Sequence, residues 1–321
     1  MKKFILKILF FILPIIVLAV VADIFISSQL RNSKTFAHGE LAIWKDIYAG
    51  NIDSDIVIYG SSRAWVHIDP LRIEDQLGGS AYNLGVDGHN FWLQHLRHLE
   101  LLKHNRTPKT IILSVDTRSL QKRGDLYNLE QFLPFIKQKE IRNYTSAYEG
   151  FSYLDYQVPF LRYIGKREAM KEAISIYRGI ESDKMIRVKG YKGFDEEWNS
   201  DFDKAKKKMK YYEVQLDTTS ISLFDSFLKE CATKKIELIM VYTPEYIEGQ
   251  EFTKNRSDII QLFQEKSEQY QFPFLDYSND TLSYDKQYFY NAMHLNKTGA
   301  ELFTDKLIED IQQLRTLRET Q

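Results

Sequence analysis

Three short segments carry residue types able to make or break an acyl bond. The first is Gly60-Ser61-Ser62-Arg63, which follows the apolar, β-branched run Asp55-Ile-Val-Ile-Tyr59 directly. A serine that leaves a buried strand and enters a helix can act as a nucleophile, and its own N–H can face the same ligand as an oxyanion donor. A plain turn and helix cap would use the same tripeptide. The second segment is Asn83-Leu-Gly85-Val-Asp87-Gly88-His89. Its two glycines, three apart, permit close approach of the backbone to a ligand, and equally an ordinary strand-to-helix turn. The third is Tyr290-Asn291-Ala-Met-His294-Leu-Asn296, just ahead of the last helix. A histidine on a loop there can reach over the strand ends and serve as general base. A single histidine is more often structural, so the weight rests on the three segments occurring in this order.

Such residues need a scaffold that brings chain ends together, and the hydrophobic pattern supplies one. Short apolar runs at 55–59, 81–84, 109–115, 236–242 and 273–276 read as strands. Periodic segments at 68–77, 90–104, 218–233, 252–270 and 297–317 read as helices, with Asp69 as a cap and Pro70 in the first turn of the earliest. Strands alternating with helices predict an α/β fold, a doubly wound parallel sheet whose ligands sit at the carboxyl ends of the strands. The stretch from about 120 to 214 holds no clear strand and reads as a helical insertion between the third and fourth strands, able to shape a groove. Its lysine run, 204–210, reads as a solvated helix face.

Taken together, the three segments resemble the SGNH hydrolases, the GDSL family of esterases and acyl-ester hydrolases, over roughly 55–317 less the insertion. The resemblance implies a flavodoxin-like SGNH fold. It makes Ser62 the nucleophile and His294 the base, puts Asn291 in the place of the triad acid, and makes the N–H groups of Ser62 and Gly88 the oxyanion hole. Two positions depart from the family pattern. The third block normally supplies an Asn for the oxyanion hole, whereas here the third strand runs into Ser114-Val-Asp116-Thr-Arg118. The family's Asp three residues before the histidine is Asn291, for which Asp285 is a nearby substitute. Arg63, Asp116 and Arg118 are candidates for substrate positioning or the third block. The resemblance is greatest to membrane-anchored, exported members that move acyl groups on cell-envelope polymers. It implies a serine esterase or O-acyltransferase acting on an acylated polysaccharide or other acyl ester. The rival reading is a non-catalytic partner that binds polymer, or a membrane acyltransferase, through a degraded cleft.

Composition narrows the classes further. Lys and Arg number 43 against 44 Asp and Glu, a formal net charge of -1, so no concentrated basic face points to nucleic acid. His95 and His98, three apart on a helix with His104 beyond, are a spacing that can bind a metal, but no carboxylate partner stands out nearby and no metal is expected. No phosphate loop, cysteine cluster or dinucleotide fingerprint is present, and no cofactor is expected. The single cysteine, Cys231, reads as a small buried hydrophobe. At the N-terminus, Lys2 and Lys3 precede an apolar run from Phe4 to Ile26, broken by Lys7, Pro14 and Asp23. Residues 1–28 thus read as a membrane anchor or signal segment, 29–52 as a juxtamembrane stalk or helix, and 53–321 as the SGNH-like domain. Continuation of the run past Asp23 favours a retained anchor over cleavage after Ala22. Both outcomes put everything after Ser28 on the exported side, and the retained anchor is a single pass of the cytoplasmic membrane.

Overall fold

The β-branched runs form one sheet. The computed structural model describes residues 2–121, 123–180, 183 and 185–320. By packing, the chain divides into two units. The first takes in the described residues up to Asp46 together with Arg123–Ile186; the second takes in Ile47 to Gln121 and the described chain from Arg187 onward.

Unit 1 is helical. Its helix α1 (Lys2–Leu30) is followed by α2 (Glu40–Ala49), whose end passes into unit 2. Within α1, Phe10–Leu30 is long and apolar enough to be a membrane span or signal sequence. The helices α6 (Lys139–Thr145), α7 (Tyr153–Gln157) and α8 (Arg167–Tyr177) complete the unit. They take their numbers from chain order, after three helices of unit 2. The Trp44 indole donates to Gln131 at 3.1 Å and packs against Phe132 and Phe135.

Unit 2 is the α/β domain. Its strands are β1 (Ile56–Tyr59), β2 (Ala81–Asn83), β3 (Thr110–Val115), β4 (Glu237–Tyr242) and β5 (Phe274–Asp276), all parallel, in the order β2-β1-β3-β4-β5. β1 and β3 are buried along their whole length, which is why they read as unbroken apolar runs. This 2-1-3-4-5 order is the flavodoxin-like one. The chain leaves β1 toward β2 on one side and continues through β3 on the other, opening a crevice at their carboxyl ends. The doubly wound α/β fold expected for an SGNH-type chain is therefore the one observed.

Around the sheet lie α3 (Ser62–His67), α4 (Pro70–Leu77), α5 (Phe91–His104), α9 (Asp201–Lys208), α10 (Thr218–Thr233), α11 (Ile247–Glu251), α12 (Arg256–Tyr270) and α13 (Lys297–Glu319). Asp69 caps α4 by accepting the Leu71 N–H at 2.9 Å, with Pro70 in the first turn. Cys231 is buried on α10. The helix expected over 252–270 is present but starts later. Asn255 turns its amide to both backbone groups of Val214, at 2.9 Å each, and the helix starts only at Arg256. The segment expected as one insertion, about 120–214, is shared: 123–186 lies in unit 1, whereas 187–214 packs in unit 2.

Candidate active site

Strand β1 delivers Ser62 through a turn that only glycine permits. Gly60 has φ +149°, and a Cβ there would stand 2.7 Å from the Ser114 carbonyl oxygen and from the Ala64 Cβ. Ser61 then caps α3. Its hydroxyl accepts the Arg63 N–H at 3.3 Å and donates to Asp116 Oδ2 at 2.6 Å. Ser62 is the first residue of α3, so its own N–H has no intrahelical acceptor and lies at the positive end of the helix. Gly85, at the end of β2, packs under this turn. A Cβ at that position would meet the Ser61 carbonyl at 2.9 Å and the Trp65 nitrogen at 2.8 Å. Asn83 ties the same parts together, donating to the Ala64 and Ile68 carbonyls at 2.8 Å each and accepting the Gly85 N–H at 3.0 Å.

His294 arrives from the other end of the chain. It is carried not by a loop but by a short antiparallel pair, β6 (Phe289–Asn291) with β7 (His294–Leu295). Ser62 Oγ and His294 Nε2 lie 2.8 Å apart. His294 Nδ1 lies 3.1 Å from Asn291 Oδ1, which also accepts the Met293 and His294 backbone N–H groups at 2.9 and 3.0 Å. Two backbone donors require the amide oxygen, not its NH₂, to face this point. The ring therefore donates from Nδ1 and leaves Nε2 to accept the Ser62 proton. Burial of the ring lowers its pKa to about 4, and the Arg63 charge adds to the effect; Asp87 and Asp116 oppose it, and Arg118 again lowers it.

Several groups that hold this histidine were not legible in the sequence. Tyr290 stacks on its ring at 5.3 Å, Phe194 packs on Tyr290 at 5.6 Å, and Trp65 packs on Phe194 at 5.6 Å. His67, at the end of α3, accepts the Leu295 N–H on Nε2 at 3.0 Å. Its Nδ1 therefore carries the proton, donated to Thr243 Oγ1 at 2.8 Å. His67 is fully enclosed, and its pKa lies well below the ordinary histidine value, first because of burial and then because of Arg63.

The remaining sequence candidates separate. Arg63 does not face a ligand. It is 1% exposed, ion-paired with Glu245 at 3.2 Å, bonded through Nε to Thr243 Oγ1 at 3.1 Å and through Nη2 to the Thr243 carbonyl, and stacked over Tyr242. Asp116 is likewise buried and structural: besides Ser61, it accepts the Arg118 N–H at 2.8 Å. The Arg118 side chain is exposed, stacked 4.7 Å over Tyr212. Gly88 lies in the turn between β2 and α5 with φ 67°. Asp285 does not reach His294; it caps the turn at 286–288 by accepting the Gln287 N–H. His98 bonds Tyr59 at 3.1 Å, and its carboxylate neighbour, Glu230 at 3.6 Å, comes from the distant α10. A cleft of about 150 Å³ lies against the histidine side of the pair, with Arg118, Phe202, Phe252, Asn291 and His294 in its wall.

A parallel 2-1-3-4-5 sheet with a hydrogen-bonded Ser–His pair at the crevice beside its first strand defines an α/β protein with the architecture of a serine hydrolase. No family model and no curated protein matches the sequence. Among solved structures, the chain is similar to a GDSL-like lipase from Bacteroides thetaiotaomicron, at 10% identity over 86% of this chain and 99% of that one, with a TM-score of 0.37. It is similar to a "putative acylhydrolase" from Bacteroides fragilis, at 12% identity over 80% and 86%, with a TM-score of 0.33. It is also similar to a "putative platelet activating factor" from Streptococcus pneumonia, at 12% identity over 84% and 89%, with a TM-score of 0.41.

Proposed function

We propose that the protein is a serine esterase or O-acyltransferase of the SGNH type, acting on acyl esters of a cell-envelope polymer. The observation that carries this reading is the Ser62 Oγ to His294 Nε2 contact of 2.8 Å, with Nδ1 held by Asn291. Ser62 attacks the acyl carbonyl while its proton passes to His294 Nε2. The Ser62 N–H stabilises the oxyanion, with the Gly88 N–H as the proposed second donor. His294 then protonates the departing alcohol. Water or a second hydroxyl, deprotonated by the same imidazole, releases the acyl group from Ser62. Arg118, exposed at the cleft, holds polar groups of the substrate.

The apolar N-terminal helix supports a location at the cytoplasmic membrane, as a single-pass anchor with unit 2 on the exported side. The partners on this reading are the membrane, an acylated polysaccharide and a membrane acyltransferase.

A fluorophosphonate probe with peptide mapping tests the activity. The label is expected on Ser62, with Ser62→Ala unlabelled and inactive against an aryl acetate. Ser61→Ala is expected to retain measurable turnover, because it removes a cap rather than the nucleophile, at about 1 kcal/mol of stability. An active preparation unaffected by Ser62→Ala would overturn the assignment. Absence of label and turnover in the folded wild-type chain would move the reading to a polymer-binding or acyltransferase-binding partner.

A further inference from the structure

Unit 1 carries an apolar rim that neither the fold nor the proposed chemistry uses. It is built where three segments meet α1. Asp23, buried on α1, accepts the Phe160 N–H at 2.7 Å and pairs with Arg162 at 2.5 Å, and Lys137 reaches it at 3.5 Å. One turn further on, Ser27 meets the Tyr163 hydroxyl at 2.8 Å. Ser33, beyond the end of α1, donates to Glu172 of α8, whereas Phe25 packs edge-on against Tyr177 at 5.4 Å. Helix α8 therefore runs antiparallel to α1, its carboxyl end pointing along α1 toward the apolar run. Ala169 and Ala173 form its buried face.

In the segments that meet α1 around Asp23, several apolar and basic side chains are exposed. Val158, Ile174, Tyr177 and Ile180 are exposed, Tyr177 by 68%, as are Ile24 and Phe25 of α1, and Tyr177 packs on Phe25. Lys137 and Arg178 are exposed beside them. On the far side of Asp23, the side chains described along α1 from Phe10 to Leu18 are all exposed. Residues 4–22 of this helix span roughly 28 Å at 1.5 Å per residue, close to the hydrocarbon thickness of a bilayer. An exposed apolar rim bearing a tyrosine and flanked by basic groups, at the foot of such a helix, has the chemistry of the headgroup layer.

We propose that unit 1 is a membrane-interface module. Its rim of Val158, Ile174, Tyr177 and Ile180 lies in the headgroup region of the same bilayer that α1 enters, and the Asp23–Arg162–Lys137 cluster locks the angle between stem and rim. The proposal rests on the anchor reading of α1 and is independent of the esterase reading. Continuity decides the occupant: Tyr177 of the rim packs on Phe25 of the apolar helix, so lipid that surrounds one reaches the other.

The full chain in vesicles of phosphatidylglycerol and phosphatidylcholine tests this. An environment-sensitive fluorophore is attached at Val158→Cys, Tyr177→Cys or Ile180→Cys. The native Cys231 is buried, with its thiol pushed up to about 12, so the wild-type chain serves as the unlabelled blank. Emission is expected to rise about threefold, with quenching by lipids brominated near the glycerol end of their chains. Glu168→Cys, at the opposite end of α8, is expected to stay in water, and Ile12→Cys to be quenched by deeply brominated lipid. A label at 177 that behaves like the one at 168 while 12 is quenched overturns the rim and leaves the anchor intact. A label at 12 that escapes quenching overturns both. Shielding of 177 in native membranes but not in lipid vesicles overturns the lipid assignment in favour of a protein partner.

Discussion

An amide beside an imidazole helps or harms according to which of its ends faces the ring. Asn291 presents its oxygen, because the Met293 and His294 N–H groups already point there. His294 is thereby held in the tautomer that can accept from Ser62, without a carboxylate. What is missing is charge on that partner: Asn291 stays neutral when the ring becomes positive, Asp87 and Asp116 offset burial only in part, and the pKa is held near 4. Loss of the carboxylate can cost about 10⁴ in rate where the amide selects the wrong tautomer, and less where, as here, it selects the right one. Asn291→Asp is therefore expected to raise kcat/KM on an aryl acetate roughly tenfold or more, about 1.4 kcal/mol of barrier. A pH profile checks the cause. The base works only when neutral, so wild-type activity should fall as pH drops through about 4. The Asp variant raises the ring's pKa, so its acid limb should move up by about one pH unit or more. A gain in rate with an unmoved limb would mean that the carboxylate acts elsewhere. Ser62, Asn291 and His294 were legible because chemistry restricts their types and the chain presents them in order. Arg63 misled for a geometric reason. One residue along a helix turns about 100°, so when Ser62 faces the crevice its neighbour faces the interior.

At the scale of elements, the pair depends on how α3 is coupled to the β6–β7 hairpin. The coupling runs through His67, which binds the Leu295 N–H from one side and Thr243 from the other, with Arg63 and Glu245 fixing that loop. His67 is a positioning residue: it packs edge-on against the His294 ring at 6.0 Å and is not itself in the cleft wall. His67→Phe keeps the bulk but leaves a buried N–H unpaired, at about 1–3 kcal/mol. Slackening of the hairpin should lower kcat about tenfold or more while KM stays within about twofold. Urea unfolding and steady-state kinetics together check it. A purely structural role would lower stability without moving kcat in the folded protein. None of this was legible in the sequence, where His67 is one residue in an apolar helix and Thr243 lies some 176 positions away. The strands were easier to read, because burial on both faces makes β1 and β3 continuous apolar runs. The later start of α12 was hidden, since it depends on Asn255 meeting a segment forty-one residues upstream.

At the scale of the whole molecule, the sequence pattern separates anchor, stalk, domain and insertion, whereas packing yields two units with a different partition. Residues 187–214 carry no strand signal, and so read with the insertion, yet Phe194 supports Tyr290 and Phe202 lines the cleft. Conversely, the last third of α1 reads as the end of an apolar run but supplies core to unit 1: Ile26 and Leu30 are buried, and Asp23 is the partner of the equally buried Arg162. A single acidic residue inside an apolar run appears as an interruption when read by hydropathy, whereas its physical role is fixed by a cation 139 positions on. Removing one member of a buried pair typically costs about 3–5 kcal/mol, because the other charge is left without compensation. Asp23→Ala also removes the acceptor of the Phe160 N–H. It is therefore expected to destabilise unit 1 by about that amount, seen as early proteolytic cleavage within 123–186 as urea is raised. Fluorophosphonate labelling of Ser62, which reports unit 2, should persist to the wild-type urea concentration. Loss of labelling together with the early cleavage would mean that the two units unfold as one.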